Sequence, residues 1–267
     1  METNFDLSVI LPLKTSIVKN FDEFFKKAIN SIQIQQVKCE EVVIVHTSDE
    51  NLITYLNEFD FGDLNVVKIE YKGEPNFSSQ VNYGIENAKG KWVTILEFDD
   101  EFSGIWFKNA KKYSDVYQDV DAFLPIVIDI DNKNVFAGFT NEATFANNFS
   151  QEVGFLTNDT LHQYQNFQTS GMVIKKQVIT DFGGFKPSIK LSFVYEFLLR
   201  LTYNSVRIMT IPKIGYKHMN LRDESLFWDY KYGFNKMEEE EVKFWISAAK
   251  KEYFFTDDRE IKYVENV

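Results

Sequence analysis

The sequence predicts an α/β fold, a mixed and mostly parallel sheet flanked by helices. Three observations carry that expectation. Short apolar runs rich in β-branched residues alternate with amphipathic stretches from the first residues onward. The runs are apolar at consecutive positions, as in strands covered on both faces. Polar or acidic turns follow them at Lys14-Thr15, His46 to Asp49 and Glu97 to Asp100. A parallel sheet gathers such turns beyond the carboxyl ends of its strands, where ligands bind in open α/β sheets.

Leu7 to Leu13 reads as a buried first strand ended near Pro12. Asn20 or Asp22 is placed to cap a helix running to about Gln35, with Phe21, Phe24, Phe25, Ala28, Ile29 and Ile32 on one face. Glu41 to Val45 is a second buried strand; a polar turn and a helix containing Leu52, Ile53, Leu56 and Phe59 follow. Val66 to Tyr71 is a third strand, Ser78 to Ala88 a helix stopped by Gly90, and Trp92 to Leu96 a fourth strand. Ser103 to Gln118 has helical spacing, and Ala122 to Ile130 is a strand in which Pro125 signals an edge or a bulge. The stretch 132–166 is polar with weak periodicity and reads as an irregular insert with the character of a lid. A strand at Ser170 to Ile174, a short helix from Gln177, an apolar helix over Phe193 to Tyr203 and a strand at Val206 to Ile211 come next. Asn235 to Tyr253 reads as an amphipathic helix, acidic near its start and basic near its end, which complements the helix dipole.

With 26 Phe, 13 Tyr and 4 Trp in 267 residues, the core should be heavily aromatic. A net charge of −11 argues against broad contact with a nucleic-acid backbone. One cysteine, Cys39, excludes an intramolecular disulfide framework and a thiolate metal cluster. The apolar run at the N-terminus is short and preceded by acids, unlike a signal peptide or membrane span, so a cytoplasmic location is expected.

The stretch around which the chain is organised is Lys91 to Phe102, where a buried strand gives way to Glu97, Asp99, Asp100 and Glu101. Crowded carboxylates at a strand end repel one another and resist desolvation. A divalent cation relieves that conflict, and oxygen ligands suit Mg²⁺ or Mn²⁺. The plainer alternative is a solvated acidic turn. Extended backbone would put Glu97 and Asp99 on one face and Asp100 on the other.

The ordered set of pieces resembles the family 2 glycosyltransferases, which have the GT-A, Rossmann-like fold. The matching residues are SVILPLKT at Ser8 to Thr15, EVVIVHTSD at Glu41 to Asp49, Asn82-Tyr83-Gly84, AKGK at Ala88 to Lys91, Trp92, and ExDD at Glu97 to Asp100. SGMVIKK at Ser170 to Lys176, DFGGF at Asp181 to Phe185, FLLRL at Phe197 to Leu201 and Ile211-Pro212 continue the pattern. The resemblance implies a domain over 1–225, with a nucleotide-binding half at 1–101 and an acceptor half at 102–225, followed by a helical extension at 226–267. It implies metal-dependent, inverting transfer of a sugar from a nucleotide-sugar donor to a hydroxyl acceptor.

The same resemblance distributes the roles. Asp99 becomes the metal ligand, with Glu97 acting through water or on the ribose. His218 matches a late histidine that completes the metal shell in some GT-A enzymes. Lys14 and Thr15 fall where the base is touched, and Lys217 and Arg222 where a diphosphate is reached. The turn that usually carries acids for base and ribose has His46 and Thr47 instead, with Asp49 the nearest carboxylate. Inverting members carry a Glu-Asp pair just before the apolar helix, the Asp serving as general base; here Phe193 and Val194 stand there. Glu196 is the substitute base expected, its alternative being a partner for Arg200 at i, i+4. The missing pair also admits a non-catalytic GT-A-like binding protein. A sugar nucleotidyltransferase is disfavoured, because KTSIVKN at Lys14 to Asn20 is not a Gly- and Arg-rich phosphate loop.

Overall fold

The computed structural model describes residues 4–14, 18–131, 133–145, 154–220 and 222–264. Its elements in chain order are β1 (Phe5–Leu13), α1 (Phe21–Gln33), β2 (Cys39–His46), α2 (Glu50–Glu58), β3 (Val66–Glu70), α3 (Phe77–Asn87), β4 (Trp92–Ile95), β5 (Glu101–Phe102), α4 (Trp106–Val116) and β6 (Ala122–Ile130). They continue with β7 (Phe136–Thr140), β8 (Gly154–Leu156), α5 (Asn158–Gln163), β9 (Val173–Lys175), α6 (Lys176–Phe182), α7 (Phe193–Tyr203), β10 (Ile208–Met219), α8 (Leu226–Tyr232) and α9 (Glu239–Glu252).

The strands form one mixed sheet in the order β3-β2-β1-β4-β9-β6-β10-β5, with β7 added to β6 and β8 to β10. β1 to β4 are mutually parallel, and β6 is parallel to β10. β9 runs antiparallel to both β4 and β6. Two reversals restore the direction, so β1 to β4, β6 and β10 all point the same way. Their carboxyl ends meet at one end of the sheet, which brings Glu97 to Asp100 beside His218 although 118 positions separate Asp100 from His218.

Consecutive apolar residues in the central strands feed two cores. Val42 and Ile44 of β2, with Leu7, Val9 and Leu11 of β1, pack with α1, α2 and α4 through Phe25, Ile29, Leu52 and Phe107. Val43, Val45 and Ile10 face the opposite side, where Val81, Phe197, Leu198, Trp245 and Ala249 of α3, α7 and α9 lie. Complete burial of one such Leu or Phe contributes about 1.5–3 kcal/mol. α3 sits close to the sheet because Gly84 has no side chain: a Cβ there would stand 2.5 Å from Ile10 Cγ2. Asn82 donates from Nδ2 to the Phe185 carbonyl (2.7 Å) and accepts from the Phe185 amide (2.9 Å), so it fastens α3 to the DFGGF loop.

Several expectations are corrected. The stretch 132–166 holds β7, β8 and α5 among its described residues. Their short length conceals the periodicity, and β7 does not alternate, since Phe136, Ala137 and Phe139 are all exposed. The strand expected to end at Ile211 runs to Met219, stabilised by pairing with β6 across a bulge between Thr210 and Ile214. Pro125 lies at that irregularity, between the residues of β6 that pair with β9 and those that pair with β7, where no ladder N–H is required. The C-terminal amphipathic helix, α9, starts only at Glu239, and a further short helix, α8, precedes it. Asn20 occupies the cap of α1 with a φ of 61° and no side-chain bond. No helix among the described residues is long and apolar enough to cross a membrane.

Candidate active site

β4 is followed by a fully buried Leu96 whose amide donates to the Ile10 carbonyl of β1 (2.9 Å). The chain then turns, the Asp100 amide donating to the Glu97 carbonyl (3.1 Å). This tight turn overrides the alternation of an extended strand. It brings Asp100, rather than Asp99, into a group with Glu97 and His218, whose ligand atoms all lie within 4.8 Å of one another. The expected pairing of Asp99 with His218 is corrected accordingly. Asp99 instead accepts from Arg222 Nε at 2.5 Å, and the guanidinium lies over the Phe98 ring at 4.9 Å.

Asp100 is 1% exposed. One of its oxygens meets His218 Nδ1 at 3.1 Å, and the other accepts from the Met219 amide at 2.7 Å. Both contacts come from the extended end of β10, which is why the length of that strand matters to the site. Glu101 pairs with Lys217 at 2.8 Å across the β5–β10 ladder. The Glu97 amide donates to the Tyr216 hydroxyl at 3.2 Å.

The electrostatics are those of an acidic cluster with too few cations. Burial, and then the Asp100 carboxylate beside it, push Glu97 up to about 8 against the opposing pull of His218. Burial and Asp100 also raise Asp99, while Arg222 acts in the other direction. Burial disfavours the His218 imidazolium, yet Asp100, Glu97 and Asp129 together push it up to about 10. Two carboxylates and an imidazole are a donor set suited to Mn²⁺ or Mg²⁺, and the strain of packing the acids together is what such a cation would relieve. The residues present therefore fit a divalent metal.

Two adjoining cavities of about 360 and 380 Å³ open at this turn, and Glu97 and Asp99 line both. The first is bounded by Leu13 and Lys14 at the end of β1, Ser78 and Gln80 of α3, Lys190, Arg222 and Tyr230. The second contains His218, Gln168, Phe193, Val194, Tyr195 and Phe227. Of the residues singled out in the sequence, Lys14 and Arg222 thus line the first cavity, His218 the second, and Glu97 and Asp99 both. Thr15 lies outside the described residues. His46 and Asp49 line neither cavity. His46 Nδ1 is 2.8 Å from the Thr47 carbonyl, and the Asp49 carboxylate caps α2, accepting from the Asn51 and Leu52 amides at 2.9 and 3.0 Å.

Glu196 requires the largest correction, because the structure does not bring it to the site. Its side chain is 0% exposed, paired with Arg200 at 2.9 Å and Lys186 at 3.1 Å, and it lines neither cavity. The reason is helical phase. Phe193 and Val194 of α7 face the second cavity, while Glu196, half a turn on, points into the protein. Arg200 also donates to the carbonyls of Phe182, Gly183 (2.9 Å) and Gly184 (2.7 Å), and Lys186 to those of Glu252 and Phe255 (both 2.8 Å). The i, i+4 partnership with Arg200 holds the DFGGF loop and the chain after α9. Sequence reading passed over Lys190 and Gln80; no motif marks either of them.

The architecture is that of the GT-A fold, which the protein shares with S. aureus TarS. The structure of TarS 1-349 in complex with UDP-GlcNAc aligns with a TM-score of 0.65 and 17% identity over 83% of this chain and 60% of that one. The complex with UDP gives 0.60 and 18% over 91% and 78%. The family model described as glycosyl transferase family 2 matches residues 8–181, and the chain belongs to that family. It is 33% identical over 115 residues to the uncharacterized glycosyltransferase MG060 of Mycoplasma genitalium, covering 40% of this chain and 37% of that protein. It is also 33% identical over 95 residues to the uncharacterized glycosyltransferase RC0461 of Rickettsia conorii, covering 35% and 15%. The matched segments thus span well under half the length of these curated relatives.

Proposed function

We propose that the protein transfers a sugar from a uridine diphosphate sugar to a hydroxyl acceptor, with inversion and with the help of Mn²⁺ or Mg²⁺. The observation that carries this reading is the acidic turn shared by two adjoining cavities, with Glu97 and Asp99 in the wall of both. A donor in one cavity and an acceptor in the other would meet there. Support for the nucleotide comes from TarS, whose structures contain UDP-GlcNAc and UDP in the same fold.

Lys14, Lys190 and Arg222 surround the first cavity and would face a diphosphate. Glu97, Asp100 and His218 would hold the cation, which when bound neutralises the charge developing on the diphosphate leaving group. Phe77, Phe193, Tyr195 and Phe227 give the second cavity apolar walls that exclude water from the reacting centre. Residues 1–101 would form the nucleotide half and 102–225 the acceptor half. The segment 226–267 would form the helical extension, of which Trp245 and Ala249 belong to the core shared with α3 and α7.

A second reading has its own support. Among the described residues, Glu97 and Asp99 are the carboxylates that line the second cavity, and Phe193 and Val194 stand where a base is expected. A protein that binds nucleotide sugars without transferring them would look the same. The deciding measurement is thermal stabilisation by UDP and UDP-sugars with and without Mn²⁺, followed by donor turnover with a panel of glycan acceptors. Metal-dependent stabilisation that is lost in Asp100→Asn, together with UDP release, supports transfer. Stabilisation without UDP release under any acceptor favours the binding protein, and no stabilisation by any nucleotide overturns both.

A further inference from the structure

Gln80 is the fourth residue of α3 and is 0% exposed. Its Nε2 donates to the carbonyl of Leu13, the last residue of β1, at 2.9 Å. That bond fixes the amide: turned over, it would set two oxygens against each other. Its Oε1 then has no hydrogen-bond partner among the described residues. Buried amide oxygens are rarely left in that state, because an unmet acceptor away from water costs free energy without return. Gln80 also lines the first cavity, beside Leu13, Lys14 and Ser78.

The chemistry of the vacant acceptor restricts what it can meet. Phosphate oxygens are acceptors and would be repelled, and the cations Lys14, Lys190 and Arg222 already surround the cavity to receive them. What remains on a nucleoside diphosphate is its N–H and O–H groups. His46 and Asp49 after β2 line neither cavity, and the Asp49 carboxylate is occupied in capping α2. Gln80 thus supplies an uncommitted acceptor at the carboxyl end of β1.

We propose that Gln80 Oε1 accepts a hydrogen bond from the imide N–H of a uracil base and so sets the base preference of the donor site. This rests on the uridine diphosphate reading given above. Uracil carries a donor at N3, whereas cytosine carries an acceptor there, so one oxygen at that point separates the two bases. A site built around a buried hydrogen bond rejects the analogue that lacks it far more strongly than a merely apolar pocket does.

The test is calorimetric titration of the full chain, in the presence of Mn²⁺, with UDP, N3-methyl-UDP, 2′-deoxy-UDP and CDP, on wild type and Gln80→Leu. Wild type should bind UDP at least about tenfold more tightly than N3-methyl-UDP or CDP. Gln80→Leu should bind UDP and N3-methyl-UDP alike. Equal binding of UDP and N3-methyl-UDP by wild type overturns the proposal and requires no variant. Discrimination that persists in Gln80→Leu overturns it as well. A loss confined to 2′-deoxy-UDP and cancelled by Gln80→Leu moves the contact to the ribose and also overturns it. Failure of wild type to bind any nucleotide sinks the donor reading itself, a result distinct from the others.

Discussion

Two sets of acids lie within this fold, and they are paired in opposite ways. On α7, one carboxylate, Glu196, meets two cations, Arg200 and Lys186, and every member of the group is buried. After β4, three carboxylates, Glu97, Asp99 and Asp100, share Arg222 and His218. The first set spends its spare donors on backbone carbonyls of Phe182 to Gly184 and of Glu252 and Phe255, and it borders no cavity. The second lies at the junction of two cavities with negative charge in excess. The difference teaches how to tell a fastening from a site. A completed ion network fixes the chain around it, whereas an unbalanced one at a cavity wall asks for a ligand.

Substitution of Glu196 gives the largest effect by which the comparison can be broken. Glu196→Gln leaves Arg200 and Lys186 buried without their counter-charge and should cost about 3–5 kcal/mol in urea denaturation. If the variant instead unfolds at the wild-type midpoint and loses only turnover, Glu196 is the catalytic base and the contrast collapses. Asp100→Asn should act in the opposite sense. Affinity for Mn²⁺ should fall by at least about tenfold, roughly 1.4 kcal/mol. Stability without metal should change by less than about 1 kcal/mol, because relief of the repulsion from Glu97 offsets the lost pairing with His218. Titration calorimetry and thermal unfolding of one sample read both quantities; a large loss of stability with metal affinity intact would make the turn a second fastening. The smallest effect is expected at the rim of the Glu196 network. There the Ser188 hydroxyl and amide donate to Asp258 in an exposed link. Asp258→Asn should cost about 1 kcal/mol or less by the same denaturation, and a much larger loss would place that link inside the buried network.

The reading of the sequence succeeded where the signal was local. Consecutive apolar residues at Leu7 to Leu13 and Val42 to Val45 were enough to place β1 and β2, because a strand buried on both faces needs nothing else. The helix over Phe193 to Tyr203 was placed at its observed limits. The acids of the site were also visible as a cluster. Which of them faces His218 was not, since a four-residue turn reverses the alternation assumed for an extended chain. The burial of Glu196 was not legible either, because a carboxylate two positions from a motif looks close in sequence but lies on another face of the helix.

The hydrophobic period and the polar turns after the strands determined that this chain would form an α/β sheet with a ligand end, because strand and helix geometry is set over a few residues; His218, Lys14 and Arg222 were named by the family resemblance. Tertiary structure decided the rest: the approach of β10 to the acidic turn, the withdrawal of Glu196 into the protein, and the unmet amide oxygen of Gln80 beside a cavity. Each depends on groups distant along the chain. Pairing between buried charges and polar atoms is settled only when the sheet order has brought their partners within hydrogen-bond reach.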